Sequence, residues 1–265
     1  MKKVVIAVLM LFASVASSFG EELSKHEYWV YVPIENYNWK EFGSSGEKLL
    51  EESGVRFGLG LDYRYRSLKG KLPLRFRGEF LYGDVDYDGH TMGGLPSKTN
   101  TTYLSWKAEG DAAWRFWFDK VVLDPMLGFG YKGWSRDIHS AGVIDPATGQ
   151  GGPAIGYTEK WEMLYAYTGL RLETNRWRND KWGLFAEAAA RFPVSVSNKV
   201  DEFGVTVHPG KDVTPYVELG GYFDMVRVAA YYERMTFGQS PYSREGAYQP
   251  ESVSDIFGFK LGLRF

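Results

Sequence analysis

Apolar and polar residues in this chain alternate at every second position, and that period governs what it can fold into. In TYLSWKAEGDAAWRF, Leu104, Trp106, Ala108, Gly110, Ala112, Trp114 and Phe116 take the even positions, and Ser105, Lys107, Glu109, Asp111 and Arg115 the odd ones. A helix of 3.6 residues per turn would spread these types round its surface. A strand sends successive side chains to opposite faces, so the charges fall on one side and both tryptophans on the other.

The split recurs along the chain. VRFGLGLDYRYR sets Val55, Phe57, Leu59, Leu61, Tyr63 and Tyr65 against Arg56, Asp62, Arg64 and Arg66. LRFRGEFLY sets Leu74, Phe76, Phe80 and Tyr82 against Arg75, Arg77 and Glu79. WGLFAEAAARF sets Trp182, Leu184 and three alanines against Glu187 and Arg191, with Phe185 breaking the polar side. YVELGGYFDM sets Val217, Leu219, Phe223 and Met225 against Tyr216, Glu218, Tyr222 and Asp224. Less regular strands are expected over 29–42, where Pro33 predicts an irregularity or bulge, and over 121–134, 161–173 and 226–237. With the closing stretch DIFGFKLGLRF there are ten. Connections are short near 68–71, 119–120, 174–181 and 224–226, and long near 43–54, 86–101, 136–156, 193–214 and 238–252. This is the pattern of an up-and-down barrel of even strand number with both ends on one side.

A soluble secreted sandwich would alternate too. Aromatic residues make up 17% of the chain and glycine numbers 31, yet mean hydropathy is negative. That mix suits strands apolar on one side only. Tyr and Trp fall towards strand ends, as interfacial girdles do. Glycines recur on the charged face, which suits a crowded interior, and several charged faces carry both signs. The expected fold is all-β: a transmembrane antiparallel up-and-down β-barrel of ten strands over residues 21–265. MKKVVIAVLMLFASVASSFG, residues 1–20, reads as a secretory signal peptide: two lysines, a short apolar run, then small residues.

The chain ends on Phe265, preceded at alternate positions by Leu263, Leu261, Phe259 and Phe257, with Arg264, Gly262, Lys260 and Gly258 opposite. This ending resembles the assembly signal of Gram-negative outer-membrane barrel proteins. The resemblance implies passage through the periplasm after signal-peptide cleavage, insertion by the barrel-assembly machinery, residence in the outer membrane, and contact with its lipid and lipopolysaccharide. GYKGW (130–134), GYTEKW (156–161) and YYERMTF (231–237) are similar to an uncharacterised group of such barrels, which brings no activity with it. A closed ring leaves no strand edge unpaired, so a monomer is expected.

The charged faces place Arg56, Asp62, Arg64, Arg66, Arg75, Arg77, Glu79, Lys107, Glu109, Asp111, Arg115, Glu187, Arg191, Glu218, Lys260 and Arg264 in the lumen. They either pair and plug it or line a narrow pore for ions or small solutes; barrels of few strands are largely filled by side chains, which favours a closed scaffold presenting long loops. GDVDYDGH puts Asp84, Asp86, Asp88 and His90 on one parity at a strand tip, either a solvated acidic loop or a carboxylate site for a cation. Ten-stranded outer-membrane aspartate/histidine proteases carry an Asp pair and an Asp–His pair above the rim. This chain departs from that pattern, because His208 sits in VTVHPGKD with no aspartate two residues before it. Lys132, Arg136 and Arg244 read as charges near the outer loops, solvated or facing lipid phosphates. No HExxH, serine elbow or phosphate loop is present, and no cofactor is expected. Absence of cysteine rules out disulfides and thiolate chemistry, and a net charge of −2 gives no footing for nucleic acid.

Overall fold

The computed structural model describes residues 26–65, 71–91, 94–145, 147–174 and 181–265; the expected signal segment and Arg66 lie outside them. Ten long strands close a ring: β1 (His26–Phe42), β2 (Lys48–Tyr65), β3 (Leu74–His90), β4 (Pro96–Ala113), β6 (Val121–Ile138), β9 (Tyr157–Thr174), β10 (Trp182–Val200), β12 (Thr214–Phe223), β13 (Val226–Phe237) and β14 (Glu251–Arg264). Four short pieces decorate it. β5 (Phe116–Trp117) pairs with β6, β11 (Val205–Val207) with β10, and β7 (Ala141–Ile144) with β8 (Gly151–Ala154).

Every neighbour in the ring is antiparallel, and the last strand pairs with the first from Trp29↔Arg264 to Phe42↔Glu251. Closure has a physical cause: inside a bilayer a backbone group without a partner costs several kcal/mol, which rules out an open edge. Pro33 donates no hydrogen bond, and the ladder to β2 lapses between Tyr31↔Gly60 and Ile34↔Phe57. The register is the same on both sides of the lapse, so the expected bulge is a gap instead. At the lower end of the barrel, where the short connections lie, β12 and β13 are joined through Asp224 and Met225 alone. Asp224 takes φ 52°, the left-handed geometry that tight hairpins need.

The outer wall carries an apolar belt. On β2 it runs through Val55, Phe57, Leu59 and Leu61 to the half-buried Tyr63, on β3 through Phe76, Phe80 and Tyr82, and on β14 through Phe257, Phe259 and Leu261. Eight residues of tilted strand give it a height of about 20 Å, close to the apolar band of an outer-membrane barrel. A continuous apolar surface of this extent does not face water in a soluble monomer.

Strands continue well above the belt, which corrects the expected long loops near 43–54, 86–101 and 193–214. β3 and β4 run to His90 and from Pro96, so their true connection is five residues. The reason is a reversal of polarity: above the belt Asp84, Asp86 and Asp88 face out while Val85 and Tyr87 face in. Aromatic placement differs from expectation too. Trp29, Trp39, Trp134 and Trp161, with Tyr31, Tyr37, Tyr103, Tyr165, Tyr167, Tyr216 and Tyr231, are buried inside the barrel. Lumen glycines make this possible. A Cβ on Gly60, Gly130, Gly128 or Gly258 would collide with Tyr31, Tyr165, Tyr167 or Tyr231 respectively, each ring lying across the neighbouring strand.

Candidate functional site: a filled lumen and an acidic outer wall

Fourteen acidic and twelve basic side chains are buried among the described residues. That near balance lets them neutralise one another rather than present a one-signed path. They stack in layers because inward-pointing positions of the tilted strands meet at common heights.

In the lower layer, Arg64 bonds Asp62 (3.1 Å) and Glu173, Arg115 bonds Asp124 (2.5 Å), and Arg227 lies between the rings of Trp29 and Phe185. The middle layer centres on Arg77, fully buried, with Asp62 and Glu218 at 3.6 Å, Glu109 at 3.8 Å and Glu187 at 3.9 Å; these come from β2, β12, β4 and β10. Arg77 Nη1 also donates to Tyr216 Oη at 3.0 Å. Around this hub Arg75 reaches Asp111 (2.7 Å) and Glu187 (2.6 Å), and Lys260 reaches Glu218 (2.8 Å) and Glu79 (2.9 Å). Lys107 bonds Glu79 (2.5 Å), Arg191 bonds Glu109 (2.8 Å) and Glu233 (2.9 Å), and Lys132 bonds Glu233 (2.8 Å).

In the upper layer Arg56 bonds Glu35 and lies 3.7 Å from the centre of the Tyr37 ring. Arg136 draws together Glu41 (2.8 Å), Glu52 (3.0 Å) and Glu159 (2.9 Å). Beside it Trp39, Trp134, Trp161 and Phe237 meet as one cluster inside the bore, Trp134 stacked on Trp161 at 5.3 Å and Trp39 edge-on to Trp161 at 5.3 Å. A cavity of about 10 Å³ between Glu35, Glu79, Lys107, Lys132 and Glu233 has room for one water.

Fourteen of the sixteen expected lumen charges are buried inside: Arg56, Asp62, Arg64, Arg75, Arg77, Glu79, Lys107, Glu109, Asp111, Arg115, Glu187, Arg191, Glu218 and Lys260. Arg264 is half-buried with its guanidinium 4.3 Å from the Tyr222 ring centre, and Arg66 lies outside the described residues. Lys132 and Arg136 are lumen residues rather than outer-loop charges, because their positions share the inward parity of Gly128 and Gly130; Arg244 is exposed. Sequence reasoning missed Glu27, Glu35, Glu41, Glu52, Asp124, Glu159, Arg171, Glu173, Arg227 and Glu233. On β1 the inward set interleaves these acids with Trp29, Tyr31, Tyr37 and Trp39, so polarity does not alternate; parity carried from neighbouring strands is the signal that finds them.

Asp84, Asp86 and Asp88 do face one way, but outwards. Their partners lie across the β3–β4 ladder: Thr102 at 2.6 Å, Asn100 at 3.3 Å and Lys98 at 2.8 Å. Among the described residues no cluster of three metal-ligating side chains forms. His208 follows β11, four strands further round the ring, with Nδ1 3.2 Å from the Val196 carbonyl. Asp84 and His208 therefore do not meet. Phe257, Phe259 and Leu261 project from the belt, while Leu263 and Phe265 are half-buried at the lower rim. Phe265 exchanges two backbone hydrogen bonds with Tyr28 (2.8 and 2.9 Å).

No protein-family model and no curated protein matches the chain. Among solved structures it is similar to the outer-membrane protease OmpT of Escherichia coli, with a TM-score of 0.57 and 10% identity over 91% of this chain and 96% of that one. An outer-membrane channel of Pseudomonas putida F1 aligns with a TM-score of 0.43 and 10% identity over 94% and 98% of the two chains. The translocator domain of the autotransporter NalP of Neisseria meningitidis aligns with 0.42 and 8% identity over 100% and 97%. The likeness to OmpT is one of fold: this is a closed antiparallel barrel of the outer-membrane kind.

Proposed function

We propose that the protein is an integral outer-membrane barrel with a closed lumen, a rigid scaffold that holds polar walls and long connections above the membrane. The observation that carries this reading is the occupied bore: from Arg227 through Arg77 to Arg136, successive layers of ion pairs and rings cross it, and the cavity between Glu79, Lys107 and Glu233 is water-sized. The chain spans the bilayer at its apolar belt, with the short turns towards the periplasm and the long connections outside. Lipid and lipopolysaccharide are its immediate neighbours, the barrel-assembly machinery inserts it by way of its last strand, and it works as a monomer.

Planar-bilayer recording of the purified, folded protein tests the closed bore. The expected trace is flat; reproducible single-channel steps mark a narrow pore instead. A protease reading finds no support in an Asp84–His208 pair, since the acidic wall and His208 lie on different sides of the barrel.

A further inference from the structure

Two polar clusters of the lumen meet without a bond between them. In one, Glu35 accepts from Arg56 Nε at 2.8 Å and from Tyr231 Oη at 2.6 Å. In the other, Glu79 holds Lys107 (2.5 Å) and Lys260 (2.9 Å), and Glu233 holds Lys132 (2.8 Å) and Arg191 (2.9 Å). Among the described residues no hydrogen bond or ion pair runs from Glu35, Arg56 or Tyr231 to this second cluster. The cavity of about 10 Å³ lies where the two face each other. Glu35 and Tyr231 line it from the first cluster, and Glu79, Lys107, Lys132 and Glu233 from the second.

The polar groups round this space are not all matched. Ser105 of β4 lines it too, and at 2% exposure its Oγ has no hydrogen-bond partner. Across the two ladders Ser105 stands opposite Leu81 and Trp134, whose side chains carry no acceptor. Lys107 and Lys132 are buried ammoniums with three N–H groups each. Glu79 takes one from Lys107, and Glu233 and the Met235 sulfur (3.4 Å) take two from Lys132. Donors are therefore left over on both lysines, beside an unmatched hydroxyl.

Size and charge narrow the occupant. The space takes one water and nothing larger. Each charge lining it already has an opposite partner: Glu35 with Arg56, Glu79 with Lys107, Glu233 with Lys132. An ion would upset that balance, whereas a neutral molecule that both donates and accepts completes it. We propose that a single buried water occupies this cavity and is the joint between the two clusters, accepting from Lys107 and Lys132 and donating to Ser105 Oγ and Glu35. It is enclosed as the strands close the ring, so it needs no channel from bulk, and local opening of the wall lets it exchange slowly.

The test uses the folded full chain in detergent. Crystals that resolve ordered water should show one peak of density in the cavity, and the same crystals grown in sodium bromide should show no anomalous peak there. An empty cavity overturns the site, and an anomalous peak overturns the neutral occupant. In solution, ¹⁷O relaxation dispersion counts waters that tumble with the protein. Ser105→Val removes the hydroxyl and fills the space, so its count should fall one below that of wild type; equal counts refute the proposal. If Ser105→Val does not fold, the density in wild type decides. An empty cavity would leave the closed bore standing, and single-channel steps with the water in place would leave the site standing, so the two readings fail separately.

Discussion

Tyr165 can lie across β6 only because residue 130 has no side chain, and the same fit recurs at Tyr31, Tyr167 and Tyr231. Gly130→Val should therefore displace a buried ring and cost about 1–3 kcal/mol, the usual range for overpacking. It should appear as a lower urea midpoint for the folded barrel in detergent. Gly142→Ala is the matched control, because nothing lies within 4 Å of the added methyl; its midpoint should not move. A second prediction concerns the outer rim. Lys160 and Lys199 both bond Asp201, holding its carboxyl down to about 2 from the ordinary 3.8. A depressed carboxylate pKa contributes stability that is present above the ordinary value and is lost as pH falls through the folded one. The clip should stay closed from neutral pH to about pH 4 and release as pH approaches 2. Carboxyl ¹³C shifts of Asp201 against pH check this, and Lys160→Met should move the titration back towards 3.8.

β14 shows how one element serves two solvents. Phe257, Phe259 and Leu261 face outward in the belt, while Lys260 between them bonds Glu79 and Glu218. Leu261→Arg puts a charge against lipid and should cost about 2–4 kcal/mol if the belt is at mid-membrane there. The measurement is the folded fraction on unheated gels after refolding into bilayers, and full folding would argue against the membrane reading. Deleting Phe265 removes the two backbone hydrogen bonds to Tyr28 and the end of the closing ladder. It should lower insertion in cells more than stability of the folded barrel, if the last strand is what the assembly machinery reads.

For the molecule as a whole, the closed bore proposed above would be an electrostatic property of the layered lumen. Breaking a buried pair by removing one partner costs about 3–5 kcal/mol, because the other charge is left behind. Arg77 faces four carboxylates from four strands, so Arg77→Ala leaves an acidic gap in the middle layer. The variant should be less stable and should show cation-preferring steps in planar bilayers where wild type is expected to show none. If it stays silent, the layers of Arg136 and Arg227 seal the bore on their own. A surface ion pair such as Lys98–Asp88 carries no comparable weight, since exposed pairs contribute about 0–1 kcal/mol.

Alternation determined that the chain is all-β, that it has ten long strands, and that Arg56, Arg75, Lys107 and Glu187 each share one face of their strand, because parity along a strand is a local property; composition and the closing stretch were needed to choose a membrane barrel over a soluble sandwich. Once the fold is a ring, DIFGFKLGLRF must pair with the first strand as well as with the strand before it, since only the first strand is left to cover its other edge. Strand length was not legible. Above the belt the environment on the outer side changes from lipid to water, so the polar face moves outward at Asp84 while the backbone pattern continues. Nor could the sequence say that Trp39, Trp134 and Trp161 cap the lumen instead of girdling the membrane: a tryptophan's preference is the same in both places, and the difference lies in which strands stand at equal height. Only the tertiary structure decided the partners, bringing Glu79 to Lys260, Arg75 to Glu187 and two rings to Arg227 across the bore, because those distances depend on the stagger of the ring rather than on any stretch of chain.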